Sequence, residues 1–242
     1  QTRIAAACGA LAVSGVALGT ALHAVGDRLV GPVRLASDAR LDRLSLLLVT
    51  SPPAAEDVWV ALGLDDEALR ELVDALSAAE VALRITVSGD GAVTVDACVE
   101  VDRAPGEAMA ALAACGASAP ALEGLADGIF ALELSRVTAL GVGSGAVSLT
   151  LGQPIGERDT QAERLAAATL RVGSRAQASW QGAMFRALAP GRSRAPITLV
   201  AADRGLVEVA VRYEAVDAET VLRAMLAVEP RERSGATLGA FA

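Results

Sequence analysis

The 242-residue sequence predicts an α+β protein, built on a largely antiparallel mixed sheet of about seven strands flanked by helical bundles. Three stretches carry that expectation. From Asp65 onward, Leu69, Leu72, Val73 and Leu76 take the i, i+3, i+4, i+7 spacing of an amphipathic helix, with Arg70, Glu71 and Asp74 on its other side. Val81, Leu83, Ile85 and Val87 then alternate with Ala82, Arg84 and Thr86. After Ser88-Gly89-Asp90-Gly91 the alternation resumes, with Val93, Val95, Ala97, Val99 and Val101 against Thr94, Asp96, Cys98, Glu100 and Asp102. Period-two alternation on both sides of a glycine-rich turn means an antiparallel hairpin with one solvated face. In the last third, residues 176–188, 196–202 and 206–213 read as three strands. They are punctuated by Pro190-Gly191 and Asp203-Arg204-Gly205 and closed by a helix that Asp217 caps. This second strand set loosely repeats the first, as pseudo-twofold halves would.

Local signals supply the other elements. Residues 4–31 read as one or two helices ending near Gly31-Pro32. Residues 38–50, with Leu44, Leu46, Leu47 and Leu48, read as a short helix or a strand before a break at Ser51-Pro52-Pro53. Residues 1–55 are therefore expected to form a mainly helical N-terminal region. Residues 105–128 are alanine-rich and read as helical, interrupted around 116–120, and residues 129–140 and 146–151 are strand candidates. Thr160-Gln161-Ala162-Glu163 is a capping box that opens a helix to about Arg171. The tail 231–242 reads as flexible. The whole of 1–242 is expected to form a single domain, long enough to bury a full core.

Composition limits the chemistry. There is no lysine and one histidine, His23, so all 21 cations are arginines. Lysine and histidine supply most general bases, Schiff-base nucleophiles and imidazole ligands, whereas arginine binds and packs but rarely exchanges protons. The scarce residue types have AT-rich codons, so a high-GC genome explains their loss, and the thin catalytic inventory stands whatever its origin. Residues 1–150 hold 9 arginines against 19 acids, a charge of −10, and residues 151–242 hold 12 against 10, a charge of +2. A lysine-free chain of net charge −8 is a poor nucleic-acid binder. Two tryptophans, one tyrosine and three phenylalanines leave the core to aliphatic side chains. Cys8, Cys98 and Cys115 are odd in number and share no metal-ligand spacing, so they read as free, buried or half-buried thiols in a reducing cytoplasm.

Residues 4–26 carry no formal charge, which raises a membrane span or a signal peptide. Their Ala, Gly and Val composition, and the helical spacing of Thr20, His23 and Asp27, favour a core helix with one wet face. A membrane enters only if this segment is an anchor.

Each candidate motif has a plainer reading. Gly141-Val142-Gly143-Ser144-Gly145-Ala146 mimics a dinucleotide loop, but a strand pattern follows where a helix N-terminus is required, so a hairpin loop is expected. Ser144 lacks the flanking glycines of a nucleophile elbow. Asp90 and Asp96 read as turn and solvent-face residues rather than calcium ligands, and Asp65-Asp66-Glu67 as a helix start. Trp180-Gln181-Gly182 matches the WxG of small secreted helical-hairpin proteins, but Pro190-Gly191 leaves the second helix of such a hairpin too short.

Over about residues 40–228 the order of elements resembles the EspG family of type VII secretion chaperones. The resemblance rests on residues 64–101, on the helix at 160–171, and on residues 176–226, with Pro196-Ile197-Thr198-Leu199 and Asp203-Arg204-Gly205. The aromatic richness of that family's C-terminal strands is missing here. The resemblance implies a central sheet between helical bundles, no catalytic site, no cofactor, and a helical secretion substrate as partner. The function expected is therefore non-catalytic: a cytoplasmic chaperone or adaptor, with no metal and no nucleic acid. The hairpin turn Ser88, Gly89, Asp90 and Gly91 is the guessed contact. A membrane-anchored or exported domain, and a small hydrolase or transferase using carboxylates, Cys98 or Cys115, are the alternatives.

Overall fold

The computed structural model describes residues 8, 14–37, 43–65, 67–143, 146–152, 158–173, 175–188, 195–211, 213 and 218–228. From Val16 the elements are α1 (Val16–Val25), β1 (Arg34–Ser37), β2 (Arg43–Thr50), α2 (Pro52–Ala61), α3 (Glu67–Leu76), β3 (Val81–Ser88), β4 (Val93–Arg103) and α4 (Pro105–Ala114). They continue as α5 (Ala119–Leu132), β5 (Val137–Gly143), β6 (Ala146–Leu151), α6 (Arg158–Leu170), α7 (Arg175–Leu188), β7 (Ile197–Ala202), β8 (Gly205–Val211) and α8 (Ala218–Val228). The fold is α+β, as the sequence indicates. The eight strands form one sheet in the order β1 to β8, each antiparallel to its neighbours. The order αββααββα occurs twice, in α1–α4 and again in α5–α8. The second set continues the first along the sheet, in the same left-to-right order.

Several elements differ from the sequence expectation. Arg34–Ser37 and Arg43–Thr50 are strands; the sequence leaves residues 38–50 open between a short helix and a strand, and reads 4–31 as reaching Gly31-Pro32 without a strand after it. The leucine run was ambiguous because β2 buries Leu44, Leu46, Leu48 and Thr50 on one face while Leu47 and Val49 lie on the other. Ser51-Pro52-Pro53 is a helix start rather than a bare break: Ser51 is extended, with ψ 154°, and the prolines occupy the first positions of α2. Residues 176–188 form α7, not a strand, with Ala178, Gly182, Phe185 and Leu188 buried at helical spacing. The strand proposed for 129–140 begins only at Val137; Ile129–Leu132 closes α5, and Glu133 ends it in the left-handed conformation (φ 50°). The capping box lies inside α6, which already begins at Arg158. Asp217 and the tail 231–242 lie outside the described residues.

The helices cover one face of the sheet. Alternate residues of β2, β3, β4, β6 and β7 are buried on that side, and the main core runs from Leu18 and Val25 of α1 to Val209 of β8. With almost no aromatic filler, α5 presses directly onto β7 and β8. A Cβ on Gly128 would meet Leu199 Cδ1 at 2.7 Å, and one on Gly124 would collide with the backbone of Gly205 and Leu206. Likewise α6 and α7 approach closely at Gly182, where a Cβ would lie 3.1 Å from Ala162 O. α6 and α7 do pair, but the turn between them begins at Arg171 and Trp180-Gln181-Gly182 is mid-helix, so the hairpin with WxG at its turn is absent and the glycine serves packing.

The two ends of the sheet differ. Leu29 bridges Thr50, and Val30 N donates to Val49 O (2.9 Å), which extends the partner of β2 beyond the four-residue β1. At β8, Gln181 Nε2 of α7 donates to Val209 O (2.9 Å), and Gln181 Oε1 accepts from Thr169 Oγ1 (2.7 Å). A side-chain amide thus occupies an edge carbonyl that could otherwise template another strand.

Gly124→Ala is expected to cost about 1–3 kcal/mol of stability through overpacking. Gly128→Ala should cost less, because the end of Leu199 can move and the backbone at residues 205–206 cannot. Urea denaturation followed by far-UV circular dichroism ranks the two. Equal costs would mean that the backbone contact does not limit the approach of α5.

Candidate functional site

The other face of the sheet carries no described helix. Its side chains remain partly or wholly exposed along the strands, apart from the buried Gly141. Its middle is formed by small residues: Ala139, Gly141 and Gly143 on β5, Ala146, Ser148 and Thr150 on β6, and Thr198, Val200 and Ala202 on β7. The glycines are required by their neighbours. A Cβ on Gly141 would meet Ser148 Oγ at 2.5 Å and Ala97 O at 2.8 Å, and one on Gly143 would collide with the carboxylate of Asp96. Cross-strand hydroxyl pairs lie beside this floor at Ser45–Thr86 (2.8 Å) and within it at Thr150–Thr198 (3.0 Å).

The charges on this face lie beside that floor. Asp96 of β4 stands in register between Arg84 of β3 and Gly143 of β5. Burial among its neighbours pushes the Asp96 carboxyl above its ordinary range; Arg84 pulls it back, and Glu208 of β8 raises it further. The side chain nevertheless remains exposed, so its neighbours surround it without covering it. Strands β4 and β8 would be about 19 Å apart in a flat sheet. Glu208 of β8 lies on the same side, in register with Val200, and the small-residue floor between the two acids is the trough of this face.

The guessed contact, Ser88 to Gly91, stands at one end of this trough and is largely occupied with itself. Ser88 Oγ donates to Asp90 Oδ1 (2.6 Å), Ala92 N donates to the same oxygen (3.0 Å), and Gly91, at φ +86°, donates its N–H to Ser88 O (2.9 Å). On its helix side the turn borders a shallow apolar cavity of about 360 Å³, walled by Val16, Ala17, Leu62, Val87 and Val93. Val16 and Val93 are among the exposed large hydrophobic residues.

The other candidates have structural roles. Asp65 Oδ1 accepts from Glu67 N (3.1 Å), and Asp65 O accepts from Trp59 Nε1 (2.7 Å), so this acid caps α3. Gly141 and Gly143 belong to strand β5, and β6 follows them; Ser144 and Gly145 lie outside the described residues. Cys98 is half-buried on the trough floor beside Gly141, while Cys8 and Cys115 are buried. Burial, then the nearby Glu71, push the Cys115 thiol up to about 11, which keeps it protonated and weakly nucleophilic at neutral pH. His23 is exposed on α1. Among the described residues no group of three or more His, Cys, Asp or Glu could hold a metal ion, and no helix is long and apolar enough to cross a membrane.

The trough was missed because each of its strands reads as an ordinary hydrated face. The usable signal was the run of Gly, Ala, Ser and Thr at the outward positions of three successive strands. These features define an α+β protein with a one-sided helical layer and a free sheet face. No known family model matches the chain, and no curated protein matches it significantly.

Asp96 binds its proton more tightly in the folded chain than in the unfolded one. Stability must then fall as pH rises through the window between the ordinary aspartate value and the raised one. Asp96→Asn is expected to raise the unfolding midpoint at pH 7 and to lose that gain near pH 4. A variant less stable at pH 7 would mean that Arg84 outweighs burial and Glu208.

Proposed function

We propose that this is a non-catalytic binding protein, a cytoplasmic chaperone or adaptor that cradles a helical secretion substrate on the free face of its sheet. One observation carries the reading. Strands β5, β6 and β7 present small side chains over a floor about 10 Å from its first strand to its last at the usual strand spacing, and a helix with its side chains is about 10–12 Å across. Glycine and alanine on the floor admit the helix closely, while Val200 and Cys98 supply apolar contact. Asp96, Glu100, Asp102 and Glu208 outnumber Arg84 among the exposed charges of β3, β4 and β8, so a client helix with Arg or Lys along its flanks fits best. The resemblance to type VII secretion chaperones supports the same class of client.

Affinity capture from the native cell, followed by reconstitution with the purified client, tests the reading. Helical secretion substrates should bind, and Ser148→Trp, which fills the floor, should weaken binding by about tenfold or more, the loss of one good packing contact. Its circular dichroism spectrum should be unchanged. Failure to recover any helical client, or a client indifferent to Ser148→Trp, would defeat the proposal.

A further inference from the structure

Phe130 is 82% exposed in a chain with three phenylalanines. It lies on the outward side of α5, opposite Gly128 and Leu132, whose buried side faces the core. One turn before it, Asp127 pairs with Arg171 at the end of α6 (3.1 Å); one turn after it, Glu133 pairs with Arg164 of α6. The exposed Ala167 of α6 lies between those two arginines, one turn from each. The α5–α6 face is therefore two parallel columns. The α5 column reads acid, Phe130, acid; the α6 column reads Arg, Ala167, Arg.

This pattern is complementary to itself. Rotating a copy by 180° about an axis parallel to the helix pair lays each acidic column on the other copy's arginine column. Asp127 then faces Arg171 of the copy, Glu133 faces Arg164, and each Phe130 meets the shallow site at Ala167. Any other twofold in that plane sets acid against acid. The balance of the patch also matters: two copies of a chain with net charge −8 repel overall, and approach is least opposed where local charge sums to zero. An aromatic anchor inside a ring of paired charges has the anatomy of an interface centre.

We propose that the α5–α6 face is a self-association surface, on which a second copy of this chain docks about a twofold axis parallel to the two helices. The surface lies on the helical layer, away from the free sheet face, so the inference does not depend on the proposed client.

Sedimentation velocity over a concentration series of the full chain tests it. The wild type should show a monomer–dimer equilibrium, and Phe130→Asp should raise the dimer dissociation constant about 30-fold or more, as loss of an interface anchor does. Arg171→Asp should also weaken the dimer, and adding Asp127→Arg should restore it, because the swapped charges again face each other across the axis. All the substitutions are at exposed positions, and circular dichroism verifies folding. A wild type that stays monomeric, a dimer unaffected by Phe130→Asp, or a charge swap that fails to rescue would each overturn the proposal.

Discussion

Everything in this molecule depends on the period-two alternation of an eight-stranded antiparallel sheet that is covered on one side. Register partners Leu48, Leu83, Ala97, Val142, Val147 and Ala201 form a continuous buried row across six strands. The next row, Val49, Ala82, Cys98, Gly141, Ser148, Val200 and Glu208, runs on the free face. A slip of one residue in any strand would move its apolar set to water and its polar set under the helices. That penalty fixes the register, and the register places Asp96 beside Arg84 and over Gly143. The free face is the part of the sheet for which the helical layer imposes no apolar requirement.

The lack of aromatic residues shapes the helical side. A core of Val, Leu and Ala cannot bridge a wide gap between layers, so helices must approach the sheet closely, and glycine marks where they do. Gly124 and Gly128 let α5 rest on β7 and β8, and Gly182 lets α7 rest on α6. Arginine takes the opposite part. Arg28 donates to Ala24 O (2.5 Å) and Val25 O (3.3 Å) at the end of α1 and to Asp57 of α2 (2.6 Å), tying two helices together at the surface. Exposed pairs of this kind contribute at most about 1 kcal/mol each. Their value lies in fixing which helix faces meet, and the burial beneath them supplies the stability.

The sequence revealed what the physics made redundant. The β3–β4 hairpin was legible because alternation and turn chemistry agreed, and α3 because its apolar positions and acidic start agreed. β2 was ambiguous because Leu47 and Val49 put apolar residues on its free face as well. α7 was misread as a strand because the turn signals on either side of it suggested strand spacing, although its Ala, Gln, Met and Arg content favours a helix. The candidate surface was harder still. The turn at Ser88 to Gly91 attracts attention as a motif, yet its polar groups are largely consumed internally. The trough has no motif, because it is made by small residues from strands widely separated in sequence. Only the register brings Gly143 to Asp96 and sets Glu208 on the same face.

The two proposed surfaces lie on opposite layers, and that separation has a consequence. α5 lies between them: its buried side contacts β7, a strand of the trough floor, and β8 beside it, and its outer side carries Phe130. A dimer joined through α5 and α6 would leave both troughs uncovered and facing away from the contact. Coupling between self-association and client binding would then have to pass through the packing of α5 on the sheet, where Gly124 leaves no slack against the backbone of β8. The glycine that allows the layers to meet therefore also sets the distance between the two surfaces.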